Sequence, residues 1–193
     1  MTKKFIVASA SPRRREIFSN AGYEFTVIPS DADENIDEEL SGEEAAMLLA
    51  KRKALAVLES NKDCVVFGCD TVVCVDGEIL GKPRDNEDAY RMLRKLSGKT
   101  HTVSTGICIA DSEKCECAVN TTFVEFYELS DSTIKSYIAT NECSDKAGAY
   151  GIQGFGSVLV KSINGDYFSV MGLPISQSAR ILKSFGIVGK IDV

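Results

Sequence analysis

Phe5-Ile6-Val7-Ala8-Ser9-Ala10-Ser11-Pro12-Arg13-Arg14-Arg15 runs from an apolar segment through small residues into a helix start. Strand, turn and helix in that order open an α/β chain. Ser11 suits the N-cap and Pro12 the first helical position. Three arginines in the first helical turn run against the usual preference. Unpaired N–H groups and the macrodipole already make a helix start positive, so acidic residues are favoured there. The cluster fits either a prepared site for a phosphate or carboxylate, or a solvated basic helix start.

Outward from this segment, helical and extended patterns alternate. Residues 5–8 read as a strand, 12–21 as a helix stopped at Gly22, and 24–28 as a second strand. Ser41 and Glu44 form a capping box for a long helix to about Glu59. Residues 64–69 read as a buried strand ending at Asp70. Residues 71–75 and 78–80 flank Asp76-Gly77, a hairpin turn. A helix over 85–96 closes at Gly98. Strands over 101–110 and 116–127 turn near Asp111, and Ser130 caps a helix to about Ala139. Asn164-Gly165 reads as a second hairpin turn between 157–163 and 167–170, and 174–185 is the last helix. Alternation early and hairpins late predict a mixed, twisted sheet covered by helices, with a cleft between two lobes. No linker or repeat divides the chain, so residues 1–193 read as a single domain.

The 193 residues carry a net charge of −6, which argues against a binder of nucleic-acid polymer and points the arginines at a local anion. No apolar run reaches the roughly 18 residues of a membrane span. The apolar run after Lys3 and Lys4 is too short for a signal peptide. Seven cysteines, an odd number without a C-x-x-C, predict free thiols in a reducing cytoplasm. Cys115 and Cys117 share one strand face, but with a single histidine in the chain they do not read as a zinc site.

Phosphate-loop and dinucleotide motifs are absent: Gly151-Ile152-Gln153-Gly154-Phe155-Gly156 has different spacing, and no nucleophile-triad context appears. Charges instead sit at element ends. Asp70, after a buried strand, suits a metal or a proton from water, or else caps its own turn. Lys82, between Gly81 and Pro83, is a fixed point charge for phosphate, or an exposed turn lysine. Of Lys51, Arg52 and Lys53, Lys53 is nearest the apolar stripe and turns inward, unless the whole face is solvated. Asp33 and Glu34, in the acidic stretch 31–39, can add a metal ligand. His101 reads as structural. The loop from Asp145 to Gly154 combines three glycines with Lys146, Tyr150 and Gln153. Tyr150 offers a stacking face and Gln153 paired donor and acceptor groups, a combination suited to a planar base.

Taken in order, Ser9-Ala10-Ser11-Pro12-Arg13-Arg14, Asp33-Glu34, Lys53-Ala54, Asp70-Thr71-Val72-Val73, Gly81-Lys82-Pro83, His101-Thr102-Val103-Ser104-Thr105-Gly106, the segment from Asp145 to Gly154, and Gly172-Leu173-Pro174 resemble the Maf family of nucleoside triphosphate pyrophosphatases. The resemblance spans nearly the whole chain. It implies a fold related to the inosine triphosphate pyrophosphatases and a homodimer. It also implies hydrolysis of a nucleoside triphosphate to monophosphate and pyrophosphate with a divalent metal, Mg²⁺ or Mn²⁺. The form Ala149-Tyr150-Gly151-Ile152-Gln153-Gly154 is similar to the dTTP/UTP branch. On this resemblance Asp70 is the proton acceptor, and Ser9, Arg13, Lys53 and Lys82 lie on the phosphate side. Arg13, Thr71 and Gln153 are tied to substrate choice, and Glu34 and Asp70 to the metal. Cys143 stands where proline is commoner, Ser169 where asparagine is frequent and Met171 where an aliphatic is usual; none removes a charge the chemistry needs. The resemblance leaves two alternatives: a 7-methyl-GTP-type pyrophosphatase, and a nucleotide-binding regulator of cell division with weak turnover.

Overall fold

The computed structural model describes residues 3–36 and 40–193; Asp37, Glu38 and Glu39 of the acidic stretch lie outside the described residues. A mixed seven-stranded sheet organises the chain. β1 (Lys4–Val7) runs parallel to β2 (Thr26–Val27) on one side and β3 (Cys64–Val75) on the other. β4 (Glu78–Leu80) and β5 (Thr100–Ala110) pair antiparallel with β3, and β6 (Cys115–Phe126) and β7 (Val160–Asn164) continue the sheet antiparallel. Among the described residues six α-helices accompany it: α1 (Pro12–Asn20), α2 (Gly42–Glu59), α3 (Asn86–Leu96), α4 (Asp131–Ile138), α5 (Tyr167–Val170) and α6 (Ile175–Ser184). None is long and apolar enough to cross a membrane.

β3 corrects the sequence reading, which ends a strand at Asp70. The strand continues without a break to Val75, and Asp70 lies within it. On one edge β5 pairs with β3 from Val66 to Cys74. On the other edge β1 pairs with Cys64 to Phe67, and β4 with Val73 to Val75. Among the described residues, 68–72 have no strand neighbour on that edge. The sheet therefore forks, and the gap between its two arms is the predicted cleft. One arm packs Phe5, Val7, Phe18, Phe67 and Leu182 together. The other carries Leu80, Leu93, Leu96, Phe126 and Ile134. Each arm has its own apolar cluster, which is why two lobes form around one sheet.

α2 lies directly on the sheet. Its capping box is present, with Ser41 Oγ accepting from Glu44 N and Glu44 Oε2 accepting from Ser41 N. Ala46, Ala50 and Ala54 recur every four residues and are fully buried. They meet glycines on two adjacent strands. An added Cβ at Gly68 would lie 2.2 Å from Ala50 O, and one at Gly106 would lie 2.3 Å from Ala46 O. Small residues on both sides bring the helix backbone against the strands.

The Asp76-Gly77 hairpin forms as expected, with φ of 52° and 78° at the two residues, the left-handed pair of a type I′ turn. The second predicted hairpin does not form. Residues 167–170 are helix α5, capped by Asp166, whose Oδ1 accepts from Phe168 N. β7 pairs instead with β6, Asn164 opposite Phe123. Residues 157–159 of the predicted strand belong instead to a 3₁₀ segment, Gly154–Leu159. At Ser11 the N-cap position is right, but its side chain makes no capping bond.

His101 is structural, as read. Its ring is 2% exposed, edge-on to Phe126 and Tyr150, with Nε2 2.8 Å from the Tyr150 hydroxyl. Burial lowers its pKa to about 4. An unfolded chain takes up this proton near pH 6.5, whereas the folded chain does so only near 4. The contribution to stability is thus intact above pH 6.5. It declines as pH falls through that window, by about 1.4 kcal/mol per unit. The chain has one histidine, so a single imidazole NMR resonance reads this directly. A midpoint near 4 is expected, and one near 6.5 would contradict the buried neutral ring.

Candidate active site

The fork encloses a cleft of about 900 Å³. β3 supplies Asp70 and Thr71 at its centre, the β1–α1 turn supplies Ser9, and the first turn of α1 supplies Arg13 and Arg14. Glu34 and Lys53 come from the segment before α2 and from α2, Lys82 from the turn after β4, and Gln153 from the loop before the 3₁₀ segment. Of the site residues expected from the sequence, all but Asp33 line this one cavity; Asp33 Oδ1 instead accepts from Asn35.

Asp70 and Lys53 form the centre. Lys53 Nζ donates to Asp70 Oδ1 and lies 2.7 Å from Glu34 Oε1. Burial alone would lower the Lys53 pKa, but the two carboxylates outweigh it and raise it. Lys53 in turn lowers the Glu34 pKa through their hydrogen bond, with lesser help from Lys82 and Arg14. A carboxylate within a buried strand is costly unless paired. Here the α2 lysine supplies the pair, and this is what lets β3 pass through Asp70.

Arg13 and Lys82 make no salt bridge among the described residues. Arg13 Nε is buried and has no hydrogen-bond partner there. Lys82 lies on the exposed rim. Its turn is tied to the opposite loop, where Gly148 N donates to Gly81 O at 3.0 Å. Gly148 has φ 68°, and a Cβ there would meet Val73 Cγ1 at 2.9 Å, so only glycine lets this loop close on β3.

Arg14 has a different task from its neighbour, and sequence reasoning missed it. Nε donates to Gly172 O at 2.7 Å, Nη1 to Ser9 Oγ at 2.9 Å and Nη2 to Thr71 Oγ1 at 3.2 Å. It cross-links three cleft walls. Thr105 gives its proton to Ser169 O, so the 3.0 Å Thr71–Thr105 contact has Thr71 as donor. With its proton committed and Arg14 donating to it, Thr71 orients Arg14 and has no hydrogen left for a substrate. Ser9 Oγ accepts from Arg14 and Ser11 N, and among the described residues its own proton has no acceptor.

The Gln153 loop is braced from behind by residues that the sequence reading did not single out. Glu142 accepts from Phe155 N at 2.9 Å and Gly156 N at 3.0 Å. Tyr137 donates to Glu142 and accepts from Gly151 N. Gln153 stays exposed in the cleft between these anchors. Tyr150 departs from the expected stacking role. It is 5% exposed, its hydroxyl is taken by His101, and its ring packs against Phe126 with centroids 4.7 Å apart. It forms part of the cleft wall rather than a free aromatic face.

Asp70 and Glu34 offer hard oxygen donors at one point, and both reach the same ammonium. This set fits Mg²⁺ or Mn²⁺, which commonly take one or two carboxylates and fill the remaining positions with water and phosphate oxygens.

Comparison with known proteins agrees with the geometry. The dTTP/UTP pyrophosphatase of Bacillus velezensis is 50% identical over 187 residues, 97% of this chain and 99% of that protein. The protein of the same name from Bacillus cytotoxicus is 48% identical over 183 residues, 95% of this chain and 96% of that one. In structure, the Staphylococcus aureus Ham1 protein superposes with a TM-score of 0.51 at 18% identity, over 82% of this chain and 80% of that chain, a likeness of fold. The model of the Maf-like protein family matches residues 4–185, and with these relatives it shows that this chain belongs to that family.

Proposed function

We propose that this chain is a nucleoside triphosphate pyrophosphatase that hydrolyses dTTP and UTP to the monophosphate and pyrophosphate. The observation that carries the reading is the gap in the sheet, where one strand carboxylate, Asp70, shares the cleft with Arg13 and Lys82, cations that form no salt bridge among the described residues. The names of relatives at 50% and 48% identity over nearly the full chain support the substrate class. Residues 1–193 act as one catalytic unit in this reading, since every strand among the described residues belongs to one sheet.

Arg13, Lys53 and Lys82, with the Ser9 hydroxyl, hold the triphosphate. Asp70 takes a proton from the water that attacks the α-phosphorus. Pyrophosphate leaves with its charge met by the fixed cations. Positioning and charge neutralisation do the work, without a covalent intermediate. A divalent cation, Mg²⁺ or Mn²⁺, would be held by Asp70 and Glu34 and would supply charge neutralisation at the phosphate oxygens. The compartment is the cytoplasm, where the seven cysteines stay reduced. The assembly is a homodimer. Phe155 and Val158 are 67% and 73% exposed and three apart in a 3₁₀ segment, so they share one face. A monomer in light scattering would remove that part of the reading.

Gln153 reads the base. Its amide can accept from N3–H and donate to O4 of thymine or uracil, whereas cytosine presents the reversed pattern. A panel of nucleoside triphosphates assayed for pyrophosphate release tests both substrate and base. Wild type is expected to prefer dTTP and UTP. Gln153→Ala is expected to lose that preference by about tenfold, the size of roughly one hydrogen bond. An unchanged substrate profile in the variant would remove Gln153 from base selection.

A further inference from the structure

Three of the seven cysteines meet outside the cleft. Cys108 of β5 stands directly opposite Cys117 of β6, and Cys115 follows two residues away on the same face. Cys115 Sγ lies 3.4 Å from Cys108 Sγ and 4.0 Å from Cys117 Sγ, and all three sulfurs fall within 4.8 Å of one another. Cys108 is buried at the base of the group, and Cys115 and Cys117 are exposed at its mouth. None of them lines the nucleotide cleft.

We propose that Cys108, Cys115 and Cys117 form a site for a thiophilic cation, with Zn²⁺ as its representative, held by three thiolates and open to solvent at the fourth position. With Zn–S bonds of ~2.3 Å, sulfurs around a tetrahedral zinc lie roughly 3.8 Å apart. Two of the three separations bracket that value and the third lies within 4.8 Å, so the sulfurs stand close to the spacing zinc requires. The arrangement is a shallow bowl with a buried floor, and a cation can enter from the exposed side.

The charges around the bowl suit this occupant. Three thiolates and a divalent cation leave one net negative charge. Lys51, on the adjacent α2, acts to favour the Cys117 thiolate. Burial and the neighbouring thiols raise the Cys108 pKa, and burial raises that of Cys117 against an opposing hydrogen bond from Cys108. Binding transfers the thiol protons to solvent as metal–sulfur bonds form. Sequence spacing hid the group. Cys108 lies across a turn from the other two, and the expectation that these cysteines hold no zinc rested on counting histidines. Strand pairing supplies a third sulfur in place of a histidine.

Cd²⁺ is a convenient probe, because its bonds to thiolate give an ultraviolet charge-transfer band. The full-length protein, reduced and freed of metal, is titrated anaerobically with Cd²⁺, and Zn²⁺ then competes. One equivalent is expected to develop the band, and Zn²⁺ to displace it. Cys115→Ser/Cys117→Ser is expected to lose the band while keeping nucleotide turnover. Cys74→Ser, which alters a partly exposed thiol outside the group, is expected to keep it. Absence of a stoichiometric band in wild type, or an undiminished band in the double variant, would overturn the proposal.

Discussion

Asp70→Asn is expected to lower kcat for dTTP and UTP by about 10²–10⁴-fold, the range for loss of a positioned proton acceptor. The fold is expected to survive. Asparagine keeps the shape and one acceptor oxygen, and Lys53 retains Glu34 at 2.7 Å. Nucleotide binding is the discriminating readout. Asparagine leaves an oxygen for the cation, which Glu34 also holds, and removes a negative charge from a cleft that receives a polyanion, so dTTP should bind as tightly or more tightly. A fall in kcat without a rise in KM therefore marks a role in the chemical step. Unchanged kcat, or a change confined to KM, would contradict the role given to Asp70.

Gly68→Ala is the second large effect, and it acts from behind the site. The new Cβ would lie 2.2 Å from Ala50 O, 2.6 Å from Ala54 N and 2.8 Å from Ala54 Cβ. Two of these are helix backbone atoms, which cannot swing aside as a side-chain end can. α2 must lift as a body, and Lys53 lifts with it away from Asp70. Overpacking of this kind costs about 1–3 kcal/mol, and the melting temperature should fall by roughly 2–12 °C for a chain of this size. Activity should fall well below that melting temperature too, because the Lys53–Asp70 geometry changes in the folded state. Gly106→Ala should behave alike, with its Cβ 2.3 Å from Ala46 O. A Gly68→Ala protein with wild-type melting and turnover would refute the close seat of α2 as the device that sets this ion pair.

Local signals in the sequence carried far where the chemistry is local. The α2 capping box, the Asp76-Gly77 turn and the inward face of Lys53 each depend on neighbours within a few residues, and each is found as read. Misreadings share a different cause. The sequence reading ends the strand at Asp70 because a carboxylate ordinarily ends a buried strand, and the partner that lets it continue, Lys53, lies 17 residues away. Asn164-Gly165 carries a good hairpin signature, but β6 claims β7 and Asp166 caps a helix instead. Arg13 and Arg14 are indistinguishable in a run of arginines. Only the fold shows that Arg14 is bound to Gly172, Ser9 and Thr71, while Arg13 has a buried Nε without a partner among the described residues. Tyr150 reads as a free aromatic face in the sequence because the partner that satisfies its hydroxyl, His101, lies 49 residues away.

Product analysis of dTTP turnover in water enriched in oxygen-18 tests the central claim most directly. Attack by water on the α-phosphorus, with Asp70 as proton acceptor, predicts dTMP carrying one heavy oxygen and unlabelled pyrophosphate. Heavy oxygen in pyrophosphate, or release of dTDP with inorganic phosphate, would contradict the account.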